Sequence, residues 1–108
     1  GFSQGGAIAL HQGLRHQQRL AGIIILSSYL PLKNTLDTEI SDHFTEVPVF
    51  IGHGNQDPVV PVELGLFTRD LLLKLGMNVQ FKMYPMGHSV SAEEILDVGH
   101  WLEQVLPK

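Results

Sequence analysis

The chain has 108 residues, of which 44% are hydrophobic and 17% are charged, and its formal net charge is -4. This length suits one small domain and not two, and the composition is that of a soluble globular protein rather than a disordered or fibrous one. The negative charge argues against a nucleic-acid partner, and the absence of cysteine excludes disulfides, thiolate metal sites and a cysteine nucleophile.

The first elements predicted along the chain are a helix and a buried strand. Residues 4–15 are patterned as a helix, and Gly5 and Gly6 predict close packing at its start. The apolar run from Ile23 to Leu26 is typical of a strand buried on both faces of a parallel sheet. It is far shorter than the ~20 residues that a membrane span needs. Residues 29–46 are predicted to be a loop or cap, with a single helical turn near residues 37–44.

The second half of the chain predicts two further strands and two further helices. Residues 47–54 form the second buried strand, and the helix after it ends at Gly76, a typical helix-stop residue. The inward face of this helix is predicted to consist of Leu64, Phe67, Leu71 and Leu75. The third strand alternates apolar with polar residues, and its apolar positions are Val79, Phe81 and Met83.

The last helix is predicted to begin at a capping box made by Ser91 and Glu94. Its inward face is predicted to consist of Ile95, Val98, Leu102 and either Val105 or Leu106. Because strands alternate with helices along the whole chain, right-handed crossovers and a parallel sheet with helices on both faces are expected. The fold class is therefore α/β, in one domain over residues 1–108.

Reactive groups of open parallel sheets collect beyond the carboxyl ends of strands, and three polar residues occur at such ends or at an equivalent turn. Ser3 is the centre of a Gly-x-Ser-x-Gly pattern, the nucleophile elbow that lifts a serine hydroxyl above a sheet. Asp57 and His88 each follow a predicted strand. A serine nucleophile needs an imidazole to take its proton and a carboxylate to orient that imidazole. The order Ser, Asp, His is that of the α/β-hydrolases, so these residues predict a catalytic triad.

Each of these residues also has a plainer explanation that the sequence leaves open. The glycine-rich turn can be a structural junction, Asp57 an ordinary turn residue and His88 a surface loop residue. A helix N-terminus at Gly5 and Gly6 can bind an anion such as phosphate. In a hydrolase, the same N-terminus would instead stabilise the negative charge that develops on the attacked carbonyl oxygen. The main-chain N–H of Gln4 then forms half of an oxyanion hole.

The remaining histidines predict no metal site, because none of them pair at the i, i+4 spacing of a helical site. They are His11, His16, His43, His53 and His100. His53 lies four residues before Asp57 and is expected to help shape the loop that carries it. No metal ion and no organic cofactor are predicted.

The chain resembles, almost from end to end, the C-terminal half of the carboxylesterase and acyl-protein thioesterase branch of the α/β-hydrolases. The stretches "GFSQGGAIAL", "LSSYLPL", "HGNQDPVVP" and "YPMGHSV" carry the resemblance. It implies that Ser3 is the nucleophile, Asp57 the orienting acid, His88 the general base and Gln4 an oxyanion N–H donor. The branch's upstream His-Gly loop, which gives the second oxyanion donor, has no counterpart before Gly1, so a partial hydrolase domain is expected.

The resemblance also implies a substrate class and its surroundings. It makes Leu30 and Val60 residues of an apolar acyl pocket, although a loop leucine that packs on its own domain is the commoner case. The expected substrates are carboxylic esters or thioesters, on small molecules or on acylated proteins. The expected location is the cytoplasm, and the sequence is compatible with a homodimer. Two alternatives remain: a non-catalytic binding or scaffold domain with the hydrolase architecture, and a hydrolase for lactones or peptide bonds.

Overall fold

The computed structural model describes residues 1–15, 20–30 and 44–106, and within them it contains three strands and three α-helices. The elements in chain order are α1 (Gln4–Arg15), β1 (Ile23–Leu26), β2 (Val49–Gly54), α2 (Val62–Lys74), β3 (Val79–Tyr84) and α3 (Ala92–Val105). Their types and order confirm the prediction. The helical turn expected near residues 37–44 lies outside the described residues except for its last position, where a short 3-10 turn, Phe44–Glu46, begins.

The three strands form one parallel sheet in the order β1-β2-β3. Ile23 pairs with Val49 at the start of β1, and Val49 pairs in turn with Val79 at the start of β3. All three strands therefore end at the same edge of the sheet. Residues that follow β2 and β3 are thus brought close to one another, which is the placement predicted for Asp57 and His88.

Helices cover both faces of the sheet, as predicted for this fold class. On one face, Ile25 and Ile51 pack in a buried cluster with Leu10 of α1 and Leu72 of α2. On the other face, Phe50 contacts Trp101 of α3, with ring centroids 5.9 Å apart. Burial of each large apolar side chain stabilises the fold by roughly 1.5–3 kcal/mol. In the described part of the chain, no helix combines the length and the apolar character that a membrane crossing requires.

The inward face of α2 differs from the prediction. Leu71 and Leu75 are partly buried against the core, but Leu64 and Phe67 are 44% and 50% exposed. The fully buried positions are Gly65, Thr68 and Leu72. Thr68 faces the interior because its hydroxyl donates to the carbonyl of Leu64 and accepts from the N–H of Leu30, each at 2.9 Å. A polar residue whose hydrogen bonds are made inside the protein can replace an apolar one in the core.

The predicted inward face of α3 is also wrong at its start. Ile95 is 61% exposed, and the residues that α3 buries fully are Glu94 and Trp101, seven positions and two turns apart. Trp101 selects this face because its large ring packs on Phe50. With Trp101 facing the sheet, Glu94 lies on the same buried face of the helix. In β3, Val79 and Phe81 pack against the core as predicted, whereas Met83 is 52% exposed.

Glu94 is a buried acid in an unusual environment. The serine half of the predicted capping box is confirmed, since the Glu94 N–H donates to Ser91 Oγ at 3.0 Å. The carboxylate itself packs against Gly52 of β2, and its two oxygens have no hydrogen-bond partner among the described residues. The pKa of Glu94 is raised to about 7, and the largest cause is burial. The main chain of Ser91 lowers this pKa, and the negative charge of Asp97 raises it.

We expect this glutamate to make stability fall with rising pH. Between its ordinary pKa of 4.5 and about 7, the folded state holds a proton that the unfolded state has lost. The free energy of unfolding should therefore decrease by about 3 kcal/mol across this range. In Glu94→Gln, which resembles the protonated acid, urea unfolding at several pH values should no longer give this decrease. Glu93→Gln, an exposed neighbour on the same helix, is the matched control; an unchanged slope in Glu94→Gln would contradict the prediction.

Candidate active site

The turn at Ser3 joins the edge of the sheet to the start of α1. Gly1 donates to the carbonyl of Ile24 at 2.7 Å, Leu26 donates to the carbonyl of Gly1 at 2.9 Å, and Ser3 donates to the carbonyl of Leu26 at 2.9 Å. Residues 1–3 therefore run parallel to β1, as the end of a strand would. Ser3 then adopts a φ of 55°, in the left-handed region, and α1 begins at the next residue. This is the strained strand-to-helix turn that the sequence predicts.

Close packing around this turn leaves no space for a side chain at Gly1 or Gly6, but it does at Gly5. A Cβ atom on Gly1 would lie 2.7 Å from the nitrogen of Gly6, and one on Gly6 would lie 2.7 Å from Cβ of Ser28. A Cβ atom on Gly5 would meet nothing within 4 Å, because that residue faces solvent. The close packing predicted at Gly5 and Gly6 is confirmed at Gly6, whereas a side chain at Gly5 would meet no neighbouring atom.

The loop after β2 holds Asp57 by its main chain. Asp57 Oδ1 accepts from the N–H groups of Val59 and Val60, each at 2.8 Å, and its side chain is fully buried. Burial alone would raise the pKa of this carboxyl. Hydrogen bonds from His88, Val60 and Val59 outweigh that effect and hold the pKa of Asp57 below its ordinary value. The site therefore contains a carboxylate that stays charged at neutral pH.

His88 connects this carboxylate to the serine hydroxyl. Its Nδ1 lies 2.7 Å from Asp57 Oδ2, and its Nε2 lies 2.9 Å from Ser3 Oγ. A carboxylate only accepts, so Nδ1 carries the proton, and in the neutral ring Nε2 is left to accept from Ser3. The ring of Phe2 packs against the imidazole with centroids 4.8 Å apart. The three residues thus form one continuous chain of hydrogen bonds.

Main-chain contacts fix the loops that carry Asp57 and His88 relative to each other. Asn55 donates to the carbonyl of Tyr84 at 2.9 Å, and Gln56 donates to the carbonyl of Met86 at 3.0 Å. The Asp57 loop is therefore pinned along the segment that leads from β3 to His88. Such pinning holds the two side chains at the separation that the hydrogen bond between His88 Nδ1 and Asp57 Oδ2 requires.

The other predicted site residues lie in different surroundings. Gln4 is exposed at the start of α1, where the first N–H groups have no partner within the helix. Leu30 is buried in the hydrophobic core cluster, and the side chain of Val60 is also buried. Sequence reasoning missed that the main chain of Val60 binds both Asp57 and the imidazole of His53. Within residues 1–15, 20–30 and 44–106, no three His, Cys, Asp or Glu side chains group as metal ligands.

A parallel sheet with helices on both faces and a serine on a strand-to-helix turn define the α/β-hydrolase class of folds. The chain belongs to the phospholipase/carboxylesterase family, whose model matches residues 1–106. The fold class and the family resemblance drawn from the sequence are thereby confirmed.

Similar proteins carry related names. Acyl-protein thioesterase 1 of Neurospora crassa is 48% identical over 100% of this chain and 45% of its own length, and that of Gibberella zeae is 44% identical over 99% and 47%. The crystal structure of Zea mays acyl-protein thioesterase 2 superposes with a TM-score of 0.91 at 31% identity, over 99% of this chain and 55% of that one. The chain therefore spans about half the length of the curated relatives it matches.

Proposed function

We propose that the chain carries the catalytic residues of a serine hydrolase that cleaves carboxylic esters or thioesters. The observation that supports this most is the unbroken path from Asp57 through His88 to Ser3, with distances of 2.7 and 2.9 Å. Both lengths are within hydrogen-bond reach, which a general base needs toward the hydroxyl it deprotonates and toward the carboxylate that orients it. Membership of a family whose relatives are named thioesterases supports the same reaction class.

In this proposal Ser3 Oγ attacks the acyl carbonyl while Nε2 of His88 takes the hydroxyl proton. Negative charge then develops on the carbonyl oxygen, and the N–H of Gln4, at the start of α1, donates to it. His88 returns the proton to the departing alcohol or thiol, which leaves an acyl-enzyme. Water, activated by the same imidazole, attacks the acyl group and releases the acid. Asp57 keeps the imidazole in the required tautomer and stabilises its charged form.

The substrates that we propose are small esters or thioesters and acylated proteins, since the relatives are named for acyl-protein substrates. Leu30 and Val60 are proposed as part of an acyl pocket, and the cytoplasm as the location, on the strength of the family resemblance. We further propose that these 108 residues are part of a larger hydrolase domain, because the matched relatives are about twice as long. A second oxyanion donor then comes from the rest of that domain.

The test uses the full-length gene product with a short-chain aryl ester, an acyl thioester and a fluorophosphonate probe. Steady turnover of the ester or thioester, together with one probe attached at Ser3 in peptide mass spectra, is the expected result. The alternative is a non-catalytic binding or scaffold domain that retains the architecture. A folded protein that neither turns over these substrates nor reacts with the probe would favour that alternative.

A further inference from the structure

His53 is a fully buried side chain that the proposed reaction does not use. It lies in β2, and its Nε2 is 2.7 Å from the carbonyl oxygen of Val60. A carbonyl oxygen only accepts, so Nε2 must carry a proton. The other ring nitrogen, Nδ1, is buried with no hydrogen-bond partner among the described residues. The imidazole therefore makes one strong hydrogen bond, and that bond is directed at the Asp57 loop.

The backbone of α2 fixes the orientation of this ring. A Cβ atom on Gly65 would lie 2.6 Å from Nδ1 of His53, so the ring occupies the space that any side chain at this position would need. The imidazole therefore packs directly against the backbone of α2 at Gly65. The ring is held in place by packing on one side and by its hydrogen bond on the other.

The residue that His53 binds is the one that holds the catalytic carboxylate. Val60 accepts from His53 through its carbonyl and donates to Asp57 Oδ1 through its N–H, at 2.8 Å. The same Nε2–H group also lies 3.7 Å from Asp57 Oδ2, the oxygen that accepts from His88. His53 thus acts on both oxygens of Asp57: on Oδ1 through the main chain of Val60, and on Oδ2 through the positive end of its N–H dipole.

We propose that His53 is a positioning residue for the hydrolase reaction, which sets the place and direction of the Asp57 carboxylate and, through it, of the His88 ring. This inference rests on the proposed function. An ordinary core histidine would contribute to folding alone. A positioning residue, in contrast, alters turnover and its pH profile in a protein that remains folded.

One pair of variants tests the hydrogen bond. His53→Leu removes the donor, whereas His53→Gln keeps an N–H group that can reach the Val60 carbonyl. In the full-length gene product we expect His53→Leu to lower kcat about 10- to 100-fold with little change in KM. We also expect its kcat–pH profile to shift, and His53→Gln to recover most of the loss. The control is Tyr84→Phe, which removes a partly buried side-chain hydrogen bond, from the Tyr84 hydroxyl to Asp97 at 2.8 Å, and should leave kcat near wild type.

A second pair tests the packing and does not depend on how His53→Leu folds. Gly65→Ala should displace the ring from the position in which it donates to Val60 and lower kcat, whereas Gly99→Ala should not, because a Cβ atom on Gly99 meets nothing within 4 Å. Both are glycine-to-alanine changes inside a helix, so both gain the same helix propensity. Equal kcat values and pH profiles in Gly65→Ala, Gly99→Ala and wild type would overturn the proposal. Failure of His53→Gln to recover turnover while folded would do so as well.

A third measurement separates this proposal from the proposed function. The Nδ1 proton of His88, shared with Asp57, should give a low-field signal in the proton NMR spectrum, which needs no substrate. A shift or loss of this signal in Gly65→Ala but not in Gly99→Ala supports positioning even if the wild-type protein hydrolyses nothing. An unchanged signal, in a protein that does hydrolyse esters, would overturn positioning and leave the serine hydrolase assignment standing.

Discussion

Replacing Ser3 by alanine should abolish both ester hydrolysis and reaction with a fluorophosphonate probe. Without the hydroxyl, the acyl group has no oxygen to which it can be transferred. Nε2 of His88, which lies 2.9 Å from Ser3 Oγ, also loses the group from which it takes a proton. We expect kcat to fall on the order of 10⁶-fold, as when the nucleophile of a comparable triad is removed. The measurements are steady-state turnover of an aryl ester and mass spectrometry of the labelled protein.

Ser27 provides a matched control for this experiment. It is also a serine with positive φ, 54° against 55° for Ser3, and alanine therefore meets the same backbone strain at either position. Its hydroxyl lies 3.4 Å from the carbonyl of Ser89, whereas that of Ser3 contacts the imidazole. Ser27→Ala should keep turnover and labelling close to wild type. Labelling that survives in Ser3→Ala would remove Ser3 from the proposed mechanism.

Replacing Asp57 by asparagine should also lower turnover strongly, for a reason that the hydrogen bonds specify. Oδ1 accepts two N–H groups, from Val59 and Val60, so the carbonyl oxygen of asparagine must take its place. The amide NH2 group then replaces Oδ2 and points a donor at Nδ1 of His88. The imidazole must accept this bond, which moves its proton to Nε2, where it can no longer receive the proton of Ser3.

We expect Asp57→Asn to lower kcat on the order of 10⁴-fold while the protein remains folded. Asp97→Asn is the matched control. That aspartate accepts from the hydroxyl of Tyr84 at 2.8 Å and has no part in the proposed mechanism, so its amide variant should retain turnover. Circular dichroism of both variants reports folding. Wild-type turnover in a folded Asp57→Asn protein would show that the imidazole does not need this carboxylate.

The order and type of the elements could be predicted from the sequence, because their signals are local. Ile23 to Leu26 and residues 47–54 are short apolar runs between turn residues, and the structure places β1 and β2 in them. The Gly-x-Ser-x-Gly pattern likewise indicates the turn at Ser3. Each of these signals lies within a few residues and needs no knowledge of what packs on it.

The faces of the helices could not be predicted as well, because they depend on distant partners. Hydrophobic spacing predicts that Ile95 faces inward. In the structure, Trp101 packs on Phe50, and with this orientation of α3 Glu94 is buried and Ile95 is exposed. In α2, the hydrogen bond between Thr68 and Leu30 makes a polar residue part of the interior. The choice of face follows from the side chains across the interface.

In the candidate site, too, local signals could be read from the sequence and long-range contacts could not. Residue type and position after a strand were enough to select Ser3, Asp57 and His88. The role of the Val60 main chain could not be derived, since any residue type supplies an N–H and a carbonyl. The contacts of His53 with Val60 and Asp57 could not be derived either, because they depend on the path of the loop. One available signal was the histidine four residues before Asp57, in a strand that is otherwise apolar. A polar side chain in a buried strand calls for a partner, and its partner is in the Asp57 loop.

The hydrogen bond between Ser3 and His88 joins residues that are 85 positions apart in the chain. It exists only when the turn before α1, the sheet and the loop after β3 have all reached their native arrangement. Local opening at either end of this span breaks the proton path while most helices and strands persist. The proposed hydrolytic activity should therefore be a more sensitive measure of native structure than any spectroscopic signal from the helices, and it should vanish first when the protein is gently denatured.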